Sequence, residues 1–356
     1  MGQEEILEIL KIIAPGTVLR EGLDNILKAK TGALIVISSN EEFFDLVDGG
    51  FKIDQDFTPA NVYELAKMDG AIVISKDIKK ILMANVQLVP DHKIKTYETG
   101  TRHRTAERVA KQTDELVICI SQRRGVITIF KGDFRYVVND ISSVLMRANQ
   151  MLEALEKYKA VFDNMLNILS EHEFDDIVSL ETVANTVYRS ELIMRMEPEV
   201  RRNIIELGDE GRIVNMQLEE LIANVESEEK KIIRDYMVAR TSSKDVEKIL
   251  KDIRKIEKKD LVNAEKIIKL LGYEIDNNIL ELNVSPKGYR ILSKMPKMPA
   301  SIIDKTVEAF GSLQGICLAT IDELDDVEGV GEVRAKIINQ SLRRLQEQYL
   351  LKGYSI

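Results

Sequence analysis

The sequence predicts a multidomain protein in which an α/β domain is followed by all-α domains. Three observations lead to this fold class. Helical and strand patterns alternate along the first part of the chain. A long stretch then lacks glycine and proline and repeats apolar residues three and four positions apart, and two helical patterns near the carboxyl end flank a glycine-rich turn. We therefore expect a mixed β-sheet flanked by helices in residues 1–140, a helical spine in 141–285 and a small helical domain in 286–356.

Composition excludes several classes of protein. The 356 residues carry a formal net charge of -9, so any contact with nucleic acid must come from local basic patches. Cys119 and Cys317 lie in different regions and suggest no disulfide framework, and with three histidines we expect no structural zinc site. No apolar run reaches the roughly 18 residues that span a bilayer, and the start MGQEEILEIL lacks a signal-peptide pattern. We expect a cytoplasmic protein with no membrane partner.

The first domain is predicted from short apolar runs separated by helical patterns. In order, helices are expected at 4–13, 19–29 and 61–68, and strands at 33–38, 71–75, 81–85, 115–121, 126–130 and 134–138. Only KDIKK separates the second and third strands and only QRRG the fourth and fifth, so both pairs are predicted to be antiparallel. TGALIVIS (31–38) also resembles DGAIVIS (69–75). The resemblance is either a functional repeat of one strand start or a coincidence between two similar strands.

A concentrated positive site lies in the stretch ETGTRHRTAERVAKQT, where Arg102, His103 and Arg104 stand between Thr101 and Thr105. The apolar spacing that follows predicts a helix starting near Thr105 as its N-cap. Free amides at a helix N-terminus and planar guanidinium groups both favour phosphate oxygens, whereas the alternative is a solvated charged face. The chain contains no G-x-x-x-x-G-K-[ST] sequence, so an ordinary P-loop ATPase is disfavoured.

A carboxylate candidate, Asp69, precedes the second strand, next to Gly70, which permits close approach of the backbone. A carboxylate in this position could hold Mg²⁺ or Mn²⁺ or take a proton from an attacking hydroxyl. The alternative is an Asp-Gly turn that simply ends the preceding helix.

The two motifs together resemble the diadenylate cyclase domain. The resemblance extends through VYELAKMDGA (62–71), ANVQLVPD (84–91) and TGTRHRTAERVAKQT (99–113). It implies that two ATP molecules are joined into cyclic di-AMP with release of two pyrophosphates, at a centre formed where two such domains meet face to face. It also implies catalytic roles for Asp69 with the Arg-His-Arg motif, and Asp69 as the metal ligand. The residues implied to bind ATP are Gly70, Ala71, Leu88, Thr101, Arg102, His103, Arg104, Thr105 and Ser121, with Arg123 and Arg124 as further candidates.

The carboxy-terminal stretch TIDELDDVEGVGEVRAKIINQ begins with a capping box, Thr320 with Glu323, which predicts a helix to about Val327. A dinucleotide fingerprint is rejected, because a helix precedes the turn and an arginine occupies the third glycine position. The segment resembles a helix-hairpin-helix motif, which implies sequence-independent contact with the DNA backbone. Residues 297–318 resemble the degenerate first half of a tandem pair of such motifs. The DNA-binding candidates are Gly329, Gly331, Arg334 and Lys336.

Residues 286–356 carry ten Lys or Arg against nine Asp or Glu, so one module should bind duplex weakly and several copies together more firmly. The chain as a whole resembles the bacterial DNA integrity scanning family. This resemblance implies an octamer, association with the nucleoid and lower cyclase activity on branched DNA. Two alternatives remain: a DNA-structure sensor that binds ATP without catalysis, and a nuclease, for which no cluster of acidic metal ligands is apparent.

Overall fold

The structure, a computed structural model, describes residues 2–238 and 243–353. The chain divides into two compact units, Met1–Gln150 with Arg201–Asn215 and Met151–Val200 with Met216–Ile356. The first unit holds a mixed β-sheet with helices, and the second is helical. This confirms the predicted fold class, while the predicted domain boundaries at 140 and 285 stay predictions.

The sheet of the first unit contains eight strands in the described residues. They are β1 Ala33–Ile37, β2 Val47–Asp48, β3 Phe51–Asp56, β4 Ala71–Ile74, β5 Lys80–Leu88, β6 Leu116–Ser121, β7 Val126–Lys131 and β8 Phe134–Val137. Their order is β2-β5-β4-β1-β6-β7-β8, with β3 also paired to β5. As predicted, β4 and β5 are antiparallel and β6 and β7 form a hairpin. The central pair, β1 and β4, is parallel.

Helices cover both faces of this sheet. They are α1 Gln3–Ile12, α2 Val18–Lys28, α3 Glu41–Phe44, α4 Pro59–Leu65 and α5 Thr101–Thr113. Alternate strand residues point to opposite faces. One set, which includes Ile35, Ile72 and Ile118, packs with α1, α2 and α4. The other set, which includes Val36 and Cys119, packs against α5. The central strands are therefore buried on both faces and read as continuous apolar runs.

The start of α5 differs from the prediction. The helix begins at Thr101 with Gly100 as its N-cap, not at Thr105. Gly100 has φ +89°, a conformation that glycine adopts at little cost, and its carbonyl already accepts a hydrogen bond from the Arg104 amide at 3.1 Å. The arginine-histidine cluster consequently forms the first turn of the helix and does not lie in a loop before it.

The helices beyond the sheet begin with two long ones, and the first confirms the predicted long amphipathic helix. They are α6 Ile141–Asp175, α7 Leu180–Leu207, α8 Arg212–Ile222, α9 Val225–Tyr236, α10 Ser243–Arg254, α11 Ala264–Leu270, α12 Tyr289–Leu292, α13 Ala300–Phe310, α14 Leu313–Leu318, α15 Ile321–Asp325 and α16 Gly331–Gly353. The second unit has two apolar clusters, one built mainly from α7, α9, α10 and α11 and one from α12 to α16. None of the helices in the described ranges is long and apolar enough to cross a membrane.

The carboxy-terminal hairpin consists of α15, a short turn and α16. The predicted capping box is present: the Thr320 amide donates to Glu323 Oε2 at 2.8 Å, and the Glu323 amide donates to Thr320 Oγ1 at 3.3 Å. The helix ends at Asp325, two residues before the predicted end. The Val330 amide then bonds to the Val327 carbonyl at 2.9 Å, so a tight turn replaces the last predicted helical residues.

Candidate functional site

A cleft of about 820 Å³ opens at the N-terminus of α5. Three segments line it: the loop end at Thr99 and Gly100, the first turn of α5, and the end of β6 with its following turn. The cleft thus brings together four residues predicted to bind ATP, which are Thr101, Arg102, His103 and Ser121. Free helix amides and guanidinium groups in one cleft favour an anionic ligand.

The Arg102 side chain lies beside the starts of the parallel strands β1 and β4. Their register places Ile35 opposite Ile72, and counting back three residues on each strand leads to Gly32 and Asp69. The Arg102 guanidinium is close to both: Nη2 lies 3.9 Å from Asp69 Oδ1, and a Cβ added to Gly32 would meet Nη1 at 2.2 Å. Asp69 thus supplies a carboxylate beside the cation, and Gly32 leaves room for it.

Asp69 is followed by Gly70, a position that no other residue could occupy without strain. Gly70 has φ +88°, and a Cβ there would lie 2.7 Å from the Val86 carbonyl oxygen of β5. The Asp69 side chain itself is fully exposed. A free carboxylate beside a guanidinium is available to a ligand at the mouth of the cleft.

His103 faces inward. Its side chain is 6% exposed, its Nδ1 lies 3.3 Å from Cys119 Sγ, and its ring stands edge-on to Phe130. Burial lowers the pKa of the imidazole below its usual value, so the ring is neutral at pH 7. His103 Nε2 has no hydrogen-bond partner within the described part of the chain, although it is buried.

Six of the predicted residues lie outside the lining of the cleft: Asp69, Gly70, Ala71, Leu88, Arg104 and Thr105. Arg104 is exposed, and because residues two apart on a helix point in different directions, it does not face the same side as Arg102. Thr105 is half-buried one turn into the helix. Ala71 and Leu88 are buried strand residues, 1% and 8% exposed, so only their backbone could reach a nucleotide.

The turn after β6 adds charge that the motifs did not include. Arg123 and Arg124 line the cleft, and the Arg124 amide donates to Ser121 Oγ at 3.2 Å. Gly125 closes the turn with φ +61°. Together with Arg102, the two arginines give the cleft three cations, which suits a triphosphate.

The loop before α5 is held by the outer side of the helix, an arrangement that sequence reasoning did not reveal. Glu107 accepts hydrogen bonds from the Thr96 hydroxyl and the Tyr97 amide. Arg108 Nε donates to the Ile94 carbonyl at 3.0 Å, and Gln112 Oε1 accepts from the Asp91 amide at 2.9 Å. Residues 91–98 are therefore fastened to the helix that carries the cluster, and they lead directly into Thr99 and Gly100 of the cleft lining.

A divalent ion fits this site through Asp69 alone. Among the described residues, no group of three or more acidic, histidine or cysteine side chains could hold a metal ion. Mg²⁺ commonly binds one or two carboxylates and takes its remaining ligands from water and substrate phosphates. A single exposed carboxylate beside an anion cleft suits such an ion.

The predicted DNA-contacting residues form a compact turn. Gly329 and Gly331 have φ +89° and +64°, as a tight bend requires. Arg334 Nη1 donates to the Gly329 carbonyl at 2.7 Å, and Lys336 Nζ lies 2.5 Å from Glu332 Oε1. Arg334 thus also holds the turn, whereas the exposed Lys336–Glu332 pair lies within α16.

Comparison with known proteins extends over nearly the whole chain. Residues 20–134 match the family described as DisA bacterial checkpoint controller nucleotide-binding, and residues 138–280 match the DisA bacterial checkpoint controller linker region. The DNA integrity scanning protein DisA of Acetivibrio thermocellus is 53% identical over 98% of this chain and 96% of its own length. The DisA proteins of Carboxydothermus hydrogenoformans and Clostridium botulinum strain Loch Maree are 53% and 50% identical, again over 98% of this chain and 99% and 98% of their own.

Among solved structures, DacA from Staphylococcus aureus is 22% identical over 39% of this chain and 91% of its own, with a TM-score of 0.31. That likeness is too low to support an argument. The sequence relatives are sufficient to assign the family, because their alignment covers the amino-terminal sheet, the helical segment and the hairpin together. The chain therefore belongs to the DisA family of DNA integrity scanning proteins, and its amino-terminal unit carries the diadenylate cyclase domain of that family.

Proposed function

We propose that the cleft binds the triphosphate of ATP and that two chains condense two ATP molecules into cyclic di-AMP. The observation that carries this proposal is the meeting of Arg102, Ser121 and the α5 N-terminus in one cleft, with Asp69 at 3.9 Å from the guanidinium. Cation, hydroxyl and helix amides are the groups that hold phosphate oxygens. The exposed carboxylate lies where a ribose hydroxyl would approach.

In each half-reaction a ribose 3′-oxygen forms a bond to the α-phosphorus of the other ATP, and the bond to pyrophosphate breaks in line with it. Asp69 orients the attacking hydroxyl and accepts its proton. Arg102 stabilises the charge that grows on the oxygens of the leaving pyrophosphate. Asp69 would hold Mg²⁺ or Mn²⁺, and the bound ion would supply further positive charge.

The product is a symmetric ring, whereas the described chain presents one such cleft. Two amino-terminal units must then meet with their clefts facing each other, so that each positions one ATP as the nucleophile for the other. We infer that such pairs assemble into an octamer, in the cytoplasm and close to DNA.

The first test is to incubate the protein with ATP and Mg²⁺ or Mn²⁺ and identify the products. Cyclic di-AMP with two equivalents of pyrophosphate supports the proposal. Unchanged ATP that is nevertheless bound would support the DNA-structure sensor without catalysis, and cleavage of added DNA would support the nuclease.

The face-to-face arrangement is tested by mixing two inactive variants, Asp69→Asn and Arg102→Ala. The ring closes only when both bonds form, and in a mixed pair at least one of the two bonds still lacks a group that it needs. We expect the mixture to stay far below wild-type turnover at every mixing ratio. Restoration to near wild-type turnover would contradict the arrangement.

We propose in addition that the carboxy-terminal hairpin binds branched DNA through its backbone and that this binding lowers cyclase activity. The paired φ values of Gly329 and Gly331 support a tight turn at the start of α16, a geometry suited to a phosphate. The test adds four-way junction DNA at saturating concentration, with linear duplex of equal length as the control. Turnover that is the same with junction, with duplex and without DNA would contradict the proposal.

A further inference from the structure

His103 is the one buried member of the arginine-histidine cluster, and its environment restricts what its ring can do. It lies in the first turn of α5, 6% exposed, above the end of β6. Phe130 packs edge-on against the ring with centroids 6.4 Å apart, so the ring plane is fixed. One nitrogen, Nδ1, faces Cys119 Sγ at 3.3 Å.

Cys119 is a fully buried residue of β6 on the face that packs against α5. Burial raises the pKa of its thiol to about 12, so the sulfur keeps its proton at pH 7. A neutral imidazole has one donor and one acceptor nitrogen. When the thiol S–H donates to Nδ1, the ring proton must lie on Nε2.

The second nitrogen, Nε2, is left without a partner by the described residues. It is buried, and buried polar atoms are nearly always hydrogen-bonded. His103 also lines the cleft that contains Arg102, Arg123 and Arg124. An anion in this cleft would require a donor from His103, and only the Nε2–H tautomer provides it.

We propose that Cys119 is a positioning residue that fixes His103 as the Nε2–H tautomer, which donates to a phosphate oxygen of the bound nucleotide. The inference rests on the proposed function for the identity of the ligand. It assigns Cys119 a role that neither motif contains, since the cysteine lies inside an apolar strand and does not touch the nucleotide itself.

The experiment compares Cys119→Ser, which keeps a donor, with Cys119→Ala, which removes it. Val117→Ala is the matched control, because Val117 is equally buried on the same face of β6, two residues away. The readouts are kcat/KM for cyclic di-AMP formation, the melting temperature, and ¹⁵N solid-state spectra of protein labelled only at its three histidines.

We expect Cys119→Ala to lower kcat/KM by about tenfold, the value of one hydrogen bond, and Cys119→Ser to stay within about threefold of wild type. Val117→Ala should lower the melting temperature at least as much as Cys119→Ala, yet change kcat/KM by less than about threefold. The wild-type spectrum should show the Nε2–H tautomer, and Cys119→Ala a mixture of both tautomers.

Two results would overturn the inference: an Nδ1–H tautomer in the wild type, or equal losses of kcat/KM in the serine, alanine and Val117→Ala variants. Failure of the proposed function gives a different result. If the wild type made no cyclic dinucleotide, the spectra alone would still decide whether Cys119 sets the tautomer.

Discussion

The nucleotide cleft and the carboxy-terminal hairpin use their cations in opposite ways. In the cleft, Arg102 has only a 3.9 Å contact with Asp69, and the Arg123 side chain has no hydrogen bond within the described residues. In the hairpin, Arg334 is bonded to the Gly329 carbonyl and Lys336 to Glu332. The cleft therefore keeps positive charge available to a small anionic ligand, whereas the two cations of the hairpin already have partners within their own segment.

The largest effect is expected for Arg102→Ala, which removes the central cation of the cleft. Loss of a group that stabilises charge in the transition state should lower kcat for cyclic di-AMP formation by about 10²–10³. Arg147→Ala, an exposed arginine on α6, is the control for the loss of one positive charge. Equal activities of the two variants would show that Arg102 has no special role in the cleft.

A smaller effect in the same cleft is expected for Gly32→Ala. The added methyl group would meet Arg102 Nη1 at 2.2 Å, and since that atom ends a flexible side chain, the guanidinium moves and the backbone stays. Displacing the guanidinium should lower kcat/KM by about tenfold with little change in melting temperature.

Gly70→Ala is the informative contrast. Its added methyl group would lie 2.7 Å from the Val86 carbonyl oxygen, and the alanine would have to adopt φ +88°. This variant should lose about 1–3 kcal/mol of unfolding free energy. The two alanine variants are compared by urea unfolding and by turnover. Equal losses of stability would show that Gly32 serves the packing of the sheet and not the position of Arg102.

The role of Lys336 in the hairpin is tested by Glu332→Gln, which frees the lysine from its ion pair. Affinity for junction DNA should rise by about two- to fivefold, and the slope of log K against log salt should steepen by up to about 0.9. Glu347→Gln, an exposed glutamate later on α16, changes the net charge equally and is the control. Equal gains in both variants would indicate a general charge effect without release of Lys336.

The smallest effect concerns pH and the buried His103. Its pKa is lowered by burial, so the unfolded chain takes up a proton below about pH 6.5 that the folded chain does not bind. The free energy of unfolding should therefore fall as the pH drops below about 6.5, by at most about 1.4 kcal/mol per pH unit from this residue. Urea unfolding at several pH values measures it, and the contribution should be absent in His103→Gln.

Apolar runs made most of the sheet predictable, since the central strands are buried on both faces. The strand β3, FKIDQD, was not predicted. It lies against β5 away from the centre and is mostly exposed, so its apolar residues are limited to Phe51 and Ile53 and form no buried run. Both predicted antiparallel pairs were found because only four or five residues, most of them polar, separate their strands in the sequence.

The site was predictable in its residue types but not in its geometry. Arg102 and Ser121 meet because β6 ends beside the start of α5, which residue spacing does not reveal. The N-cap was misplaced from Gly100 to Thr105, because threonine is the better side-chain cap while glycine caps here by its backbone conformation alone. The inward orientation of His103 depends on Cys119 and Phe130, which in sequence are ordinary members of strands.

The neighbouring starts of β1 and β4 restrict the substitutions that this protein tolerates. Gly32 and Asp69 both lie beside the Arg102 guanidinium, and neither position accepts a change of charge. Gly32→Asp would place Arg102 between two acids, while Asp69→Gly would leave the guanidinium without its counter-charge. Substitution is therefore tolerated more readily along the apolar lengths of β1 and β4 than at the two positions that adjoin this cation.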